Sequence, residues 1–284
     1  MEQHISPVTA AHIGEAVRAL GLTGKPLAIH ASLRSFGRIE GGADALIQAL
    51  LSEGCTLLVP TFSSGFAVPA PPDMRPLRNG CGDYGWMDAD RSSGASAALA
   101  SAIYEPGSME LDRDSMGALP AAVLRLPDSL RGNHPLNSFA AVGPLAEELI
   151  AGQRPDDVYA PLRKLAERGG EAVLMGVGLE RLTLLHLAEQ MAGRALFRRW
   201  ALDADGRTML AEVGNCSEGF GKLARLLAPV GKHRTVGASG WQVYPAAACL
   251  ALASEAIRET PAITHCDDPG CDRCPDAVLG GPIL

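Results

Sequence analysis

The sequence predicts an α/β protein: a single domain with a central mixed sheet flanked by helices and a C-terminal antiparallel appendage. Three observations carry that expectation. Short apolar runs alternate with stretches whose apolar residues recur every three or four positions, the pattern of buried strands between amphipathic helices. Asp205-Gly206 separates two strand-like segments, as in a hairpin. The 284 residues are 47% hydrophobic, and no repeat or linker-like stretch divides them, so one domain over 1–284 is expected.

In chain order, Thr9 stands as N-cap before a helix over about 10–20. Pro26–His30 and Thr56–Pro60 read as buried parallel strands. Between them, after Gly41-Gly42, Ala43, Leu46, Ile47, Leu50 and Leu51 share one helix face, which makes a β-loop-α-β unit. Periodicity is lost over 61–92, where Pro69-Ala70-Pro71-Pro72 and Asn79-Gly80-Cys81-Gly82 are turn chemistry. A stretch that long is a functional lid or a disordered segment. An Ala-rich helix is expected after Ser92, another over about 116–125, then an irregular stretch to Ser138 and a helix over 144–151. Ala172–Gly176 is a strand and Thr183–Ala192 a helix. Arg198–Leu202 and Arg207–Val213 form the hairpin, and helices near 220–228 and 246–259 follow.

Formal charge is −7, without a basic run, so a nucleic-acid partner is not expected. The longest apolar stretch, Ala246–Ala253, falls far short of the roughly 20 residues that span a bilayer. Met1-Glu2-Gln3-His4 lacks the basic and apolar regions of a signal peptide. A cytoplasmic protein without a membrane partner is the expectation, and a homodimer stays open. In a reducing compartment the seven cysteines are thiols or metal ligands.

His186 opens a polar face with Thr183, Glu189 and Gln190, at spacings of three and four. A carboxylate one turn away can orient a histidine and strengthen it as a general base near neutral pH. On these residues alone, His186 reads equally as a satisfied histidine on a polar helix face. Gly176-Val177-Gly178 after a strand suggests a phosphate-binding turn or a tight connection, the third glycine of the dinucleotide fingerprint being absent. The loop Ala31–Gly37 leaves the C-terminal end of the first strand, where α/β sheets bind ligands. Its hydroxyls, arginine and N–H groups suit a phosphate or pantetheine arm, or an ordinary surface loop. Arg131–Gly143 is dense in donors, and reads also as a turn packed by Phe139.

Together these pieces resemble the aminoglycoside 3-N-acetyltransferase family. The resemblance runs through His30-Ala31-Ser32-Leu33-Arg34-Ser35-Phe36-Gly37, Glu40-Gly41-Gly42 and Gly54–Phe62. It continues in Met116-Gly117-Ala118-Leu119-Pro120, His134-Pro135 with Ser138–Gly143, Val173–Gly178 and Thr183–Glu189, in the family's order. It implies an acetyl-CoA-dependent N-acetyltransferase with the family's own α/β fold, distinct from the commoner acetyltransferase superfamily. The acceptor is then a primary amine of an aminoglycoside or related small molecule. By carry-over His186 is the catalytic histidine, with Glu189 and Thr183 in the same motif. Ser32, Leu33, Arg34, Ser35, Phe36 and Gly37, with His134, Ser138 and Phe139, match the CoA-binding side.

Two departures touch that side: His30-Ala31-Ser32 replaces the family's His-Ser-Ser, and Arg131-Gly132-Asn133-His134-Pro135 replaces Arg-Ser-x-His-Pro. Each loses a hydroxyl, which points to weaker CoA affinity. Antibiotic-modifying members carry clustered acids after the hairpin, whereas Ala211–Phe220 holds only Glu212 and Glu218. A non-antibiotic metabolite or peptide amine is therefore an alternative acceptor, and a catalytically inactive, zinc-stapled CoA-binding protein an alternative class.

The tail is a separate signal. Cys266, Cys271 and Cys274 have the spacing Cys-x4-Cys-x2-Cys, which can grip one Zn²⁺. Cys216 is the expected fourth ligand, with His265 the nearer candidate, and four protein ligands would make the metal structural. A free-thiol tail is the other reading.

Overall fold

The computed structural model describes residues 7–81, 84 and 102–280. The expected Ala-rich helix after Ser92 lies outside these. Strands are β1 (Pro26–Ala31), β2 (Thr56–Pro60), β3 (Leu130–Arg131), β4 (Phe139–Val142), β5 (Glu171–Met175), β6 (Phe197–Leu202), β7 (Thr208–Val213), β8 (Lys232–Val236) and β9 (Ser239–Pro245). Seven form one mixed sheet in the order β3-β4-β2-β1-β5-β9-β8, and β6-β7 make a separate antiparallel pair. In the centre β1 runs parallel to β2 and β5, with Leu27 opposite both Leu57 and Glu171.

Alternation along the strands builds a core on each face. Leu27, Ile29, Leu57, Val59, Val173 and Met175 pack with Ile13 and Val17 of the Ala10–Leu20 helix and Leu46 and Leu50 of the Gly42–Ser52 helix. Ala28, Leu58, Ala172 and Leu174 face Leu162 of the Ala160–Glu167 helix, Leu184 and Leu187 of the Leu184–Met191 helix, and Leu250 of the Ala246–Glu259 helix. Thr9 caps the first helix, with His12 closing the capping box.

Four features differ from the sequence reading. The helix expected over 116–125 is two, Arg113–Met116 and Ala118–Leu124, because Gly117 at φ 81° leaves the helical region. Phe139–Val142, expected within a stretch entering a helix, pairs with β2 as a strand. β8 and β9 extend the sheet beyond β5, antiparallel, and the Ala160–Glu167 helix joins β4 to β5. The segment near 220–228 is a 3₁₀ turn (Phe220–Leu223), one helical turn (Ala224–Leu227) and a second 3₁₀ turn.

Candidate active site

Parallel strands β2, β1 and β5 end at one edge of the sheet. The chain leaves β1 toward β2 on one side and returns to β5 on the other. Open α/β sheets bind ligands in the crevice at such a reversal. A cleft of about 1190 Å³ opens there, lined by Ala31–Arg34 after β1, Pro60 and Phe62 after β2, and Gly176–Gly178 after β5. Thr183, His186, Arg113–Ala118, Asn137, Gly214, Asn215 and Ser217 complete much of the wall.

Thr183 is the N-cap of the Leu184–Met191 helix, so His186 and Glu189 follow on one face. His186 Nδ1 lies 2.8 Å from Glu189 Oε2. Its ring is stacked 6.3 Å from Tyr159 and tilted 4.8 Å from Phe220, which leaves little room for rotation. Nδ1 facing a carboxylate holds the neutral ring's proton there, which leaves Nε2 as the acceptor. The Glu189 side chain is 1% exposed, and its Oε1 meets Arg194 Nη1 and accepts from Thr264 Oγ1 at 3.0 Å. A buried carboxylate of this kind is compensated on both oxygens.

On the opposite side the expected cofactor residues divide. Ser32, Leu33 and the exposed Arg34 line the cleft. Ser35 Oγ instead donates to Ser32 O at 2.6 Å and meets Ser239 Oγ at 2.7 Å. Phe36 is buried edge-on against Trp241 at 6.0 Å, and Gly37 ends the 3₁₀ turn outside the cleft wall.

His134, Ser138 and Phe139 also lie off the wall, where their neighbour Asn137 stands. His134 is fully buried: Nδ1 accepts from Leu136 N at 3.2 Å and Asn137 N at 2.8 Å, and Nε2 donates to Glu212 O at 2.9 Å. Burial pushes its ionisation down to about 4. Ser138 Oγ donates to Thr61 O at 2.9 Å and accepts from Arg131 Nε at 2.9 Å. Phe139 packs edge-on against Phe62 at 5.8 Å. These groups shape the turn before β4 and the start of that strand: His134 and Ser138 bond chiefly to backbone, and Phe139 packs in the core.

Several wall residues were not singled out in the sequence. His30, at the end of β1, is pushed down to about 4 by burial and then by Arg181, so it stands neutral in the wall. Arg113, Asp114, Glu180 and Arg181 give the cleft charges of both signs, and Asn215 and Ser217 add neutral donors after the hairpin. Glu212 lies off the wall, its carboxyl pushed up by burial. Residues 113–115 sit in a helix of one turn and carry no motif, which is why they escape a periodicity reading. In the tail, the sulfurs of Cys216, Cys266, Cys271 and Cys274 all lie within 4.8 Å of one another.

His186 on the wall of a strand-end crevice, with Glu189 buried behind it, marks this crevice as the candidate site of an α/β enzyme. The model of the family described as aminoglycoside 3-N-acetyltransferase matches residues 28–258, and the chain belongs to that family of acyltransferases. It is 30% identical to aminoglycoside N(3)-acetyltransferase VII of Streptomyces paromomycinus, over 84% of this chain and 88% of that one. The structure is similar to a mutant of aminoglycoside acetyltransferase AAC(3)-IVa in complex with a gentamicin, with a TM-score of 0.75, 26% identity, and coverage of 97% and 98%. It is also similar to AAC-IIIb in its binary complex with CoASH, with a TM-score of 0.69, 25% identity, and coverage of 89% and 97%. The fold class and the acyltransferase identity expected from the sequence both hold.

Proposed function

We propose that this enzyme transfers the acetyl group of acetyl-CoA to a primary amine of an aminoglycoside, with His186 as general base. The observation that carries the reading is the His186 Nδ1–Glu189 Oε2 bond, which holds a histidine on the cleft wall from behind. An ammonium is no nucleophile, so His186 Nε2 first accepts one of its protons. The amine nitrogen then bonds to the thioester carbonyl carbon, and the C–S bond breaks as the amide forms. The imidazolium returns its proton to the leaving thiolate, and the nitrogen's second proton goes to solvent. Glu189 stabilises the imidazolium between these steps. Thr183, at the base of the same face, borders the reacting centre.

Ser32, Leu33 and Arg34 would contact CoA on this reading, with Asn137 opposite. Ser35, Phe36, Gly37, His134, Ser138 and Phe139 would hold those loops in shape. The cleft wall carries arginines at 34, 113 and 181 against carboxylates at 114 and 180. That balance favours a second acceptor class, a less cationic metabolite or peptide amine. Thiol release from acetyl-CoA, measured across aminoglycosides, amino sugars and peptide amines, separates the two. Turnover with none of them would refute acetyl transfer and leave the inactive CoA-binding class.

The four thiols support a structural Zn²⁺. Four sulfurs at tetrahedral zinc distances stand roughly 3.8 Å apart, which suits a cluster whose sulfurs lie within 4.8 Å. Such a metal would fasten the tail to the segment after the hairpin and contribute to folding stability. Protein purified without added metal should contain about one zinc per chain, and a chelator should lower Tm by several degrees. Less than about a tenth of an equivalent would remove the metal from this reading. The same thiols call for a reducing compartment, the cytoplasm. Among the described residues no helix is long and apolar enough to cross a membrane.

A further inference from the structure

The carboxylate that orients His186 is itself held from outside its helix. Arg194, 2% exposed, follows the Leu184–Met191 helix and turns back so that Nη1 meets Glu189 Oε1. The same Nη1 donates to Thr264 Oγ1 at 2.8 Å, and Nη2 donates to the Pro261 carbonyl. Thr264, 1% exposed, donates its hydroxyl proton to Glu189 Oε1 at 3.0 Å. Three side chains 5, 70 and 75 positions apart in their pairings thus close one buried ring of hydrogen bonds around Oε1. Oε2 is left for His186.

Thr264 arrives on an arm that begins after the Ala246–Glu259 helix with the 3₁₀ turn Pro261–Thr264. The arm is docked on the segment between the hairpin and Phe220. A Cβ at Gly219 would lie 2.2 Å from the Thr264 carbonyl oxygen, so only glycine admits this approach. Lys222 Nζ donates to His265 O at 2.7 Å and pairs with Asp267 at 2.7 Å. Further along, Gly280 N donates to Gly193 O at 3.0 Å, beside Arg194. The arm is therefore fixed at both ends around the arginine.

We propose that Arg194 and Thr264 are positioning residues for acyl transfer: they lock the Glu189 carboxylate so that the His186 ring keeps its proton on Nδ1 and presents Nε2 to the cleft. A buried carboxylate anchored through one oxygen has one remaining direction for the other. With Thr264 or Arg194 altered, Oε1 loses a partner and the carboxylate turns to recover one. The imidazole then has no fixed acceptor at Nδ1 and distributes between tautomers, only one of which can accept the amine proton at Nε2. The proposal rests on His186 as the base, and its test has a readout that does not pass through turnover.

That readout is the ¹⁵N spectrum of histidine-labelled protein at alkaline pH. In the wild type His186 should show a single tautomer, protonated at Nδ1. Thr264→Val should mix the tautomers and lower kcat about tenfold, the loss expected on removing one hydrogen bond to a charged group, with KM for both substrates within about twofold. Thr264→Ser, which keeps the hydroxyl, should restore both. Arg194→Lys keeps the charge but cannot serve Glu189, Thr264 and Pro261 together, and should mix the tautomers as Thr264→Val does.

A wild-type ring protonated at Nε2, or already mixed, overturns the proposal whether or not the variants fold. So does folded Thr264→Val with an unmixed ring and unchanged kcat. If the ring behaves as expected but folded His186→Ala keeps its turnover, the base assignment fails while the positioning stands.

Discussion

The corner around His186 and the turn around His134 are built from nearly the same parts. Each has a histidine, a buried arginine, a hydroxyl and a carboxyl or amide side chain. In the corner these are His186, Arg194, Thr264 and Glu189. In the turn they are His134, Arg131, Ser138 and Gln153, whose Oε1 accepts from Phe139 N at 3.0 Å and whose Nε2 donates to Asn137 O at 3.0 Å. The differences are two. Arg194 is aimed at a carboxylate, whereas Arg131 donates to the carbonyls of Thr61, Ser108 and Glu110. And the two histidines face different partners. His134 accepts at Nδ1 from backbone N–H groups and its Nε2 meets the Glu212 carbonyl; His186 Nδ1 meets the Glu189 carboxylate and its ring lines the cleft. The same inventory makes a scaffold when both ring nitrogens meet the protein's own backbone, and suits a reactive site when one nitrogen stays free of it.

The largest way to break the comparison is to remove that nitrogen. His186→Ala should lower kcat about 10²-fold or more, because general-base catalysis contributes at least that much. CoA affinity, read by calorimetry, should be unchanged. A folded variant with near wild-type turnover would mean that His186 is a packing residue like His134.

The reciprocal test is on stability against pH. His134 ionises near 4 in the folded chain and His30 likewise, against an ordinary value of 6.5, in both cases chiefly through burial. The unfolded chain therefore binds more protons between pH 6.5 and 4, so stability is full above that window and falls as pH drops through it. Each histidine withdraws about 3 kcal/mol by pH 4. A proton on His134 Nδ1 would point at two N–H donors, which is the local reason. His134→Asn keeps an acceptor near Nδ1 and cannot titrate. It should be about 1 kcal/mol less stable at pH 8, for the lost bond to Glu212, yet fall less steeply on acidification. Urea titrations across pH 4–8 decide, and parallel slopes would refute the assignment.

What was legible in the sequence follows from the same contrast. Pro26–His30, Thr56–Pro60 and Ala172–Met175 are buried on both faces, so their apolar runs show at once, and they are the strands that carry the cleft. β8 escapes because it is an edge strand with solvent-facing Lys232, His233 and Thr235. β9 escapes because its alternation is short, with Trp241 and Val243 buried and Gly240 and Gln242 between them. β4 is only four residues, two of them alanine. At the site, the helical spacing of Thr183, His186 and Glu189 was readable because it is local. The clamp of Arg194 and Thr264 spans 70 residues of sequence and leaves no local pattern. Cys216 was reachable from the tail cysteines only because four ligands were needed. For the donor-rich loops, sequence could count the donors but could not say which way they pointed.

The smallest effect sharpens that last point within one loop. Ser32 and Ser35 stand three residues apart, both expected to bind CoA, yet only Ser32 is on the cleft wall. Ser35 Oγ is engaged by Ser32 O and Ser239 Oγ, bonds that tie the loop after β1 to the start of β9. Ser32→Ala should then raise KM for acetyl-CoA about threefold with kcat and stability nearly unchanged, as one exposed hydrogen bond to a ligand is lost. Ser35→Ala should do the reverse, lowering stability by about 1 kcal/mol and leaving KM within about twofold at a temperature where the chain is fully folded. Steady-state kinetics and urea unfolding on the two variants side by side read both quantities. If Ser35→Ala moves KM and Ser32→Ala moves stability, the two hydroxyls have been assigned the wrong way round, and the pantetheine arm runs behind the 3₁₀ turn instead of along the cleft wall.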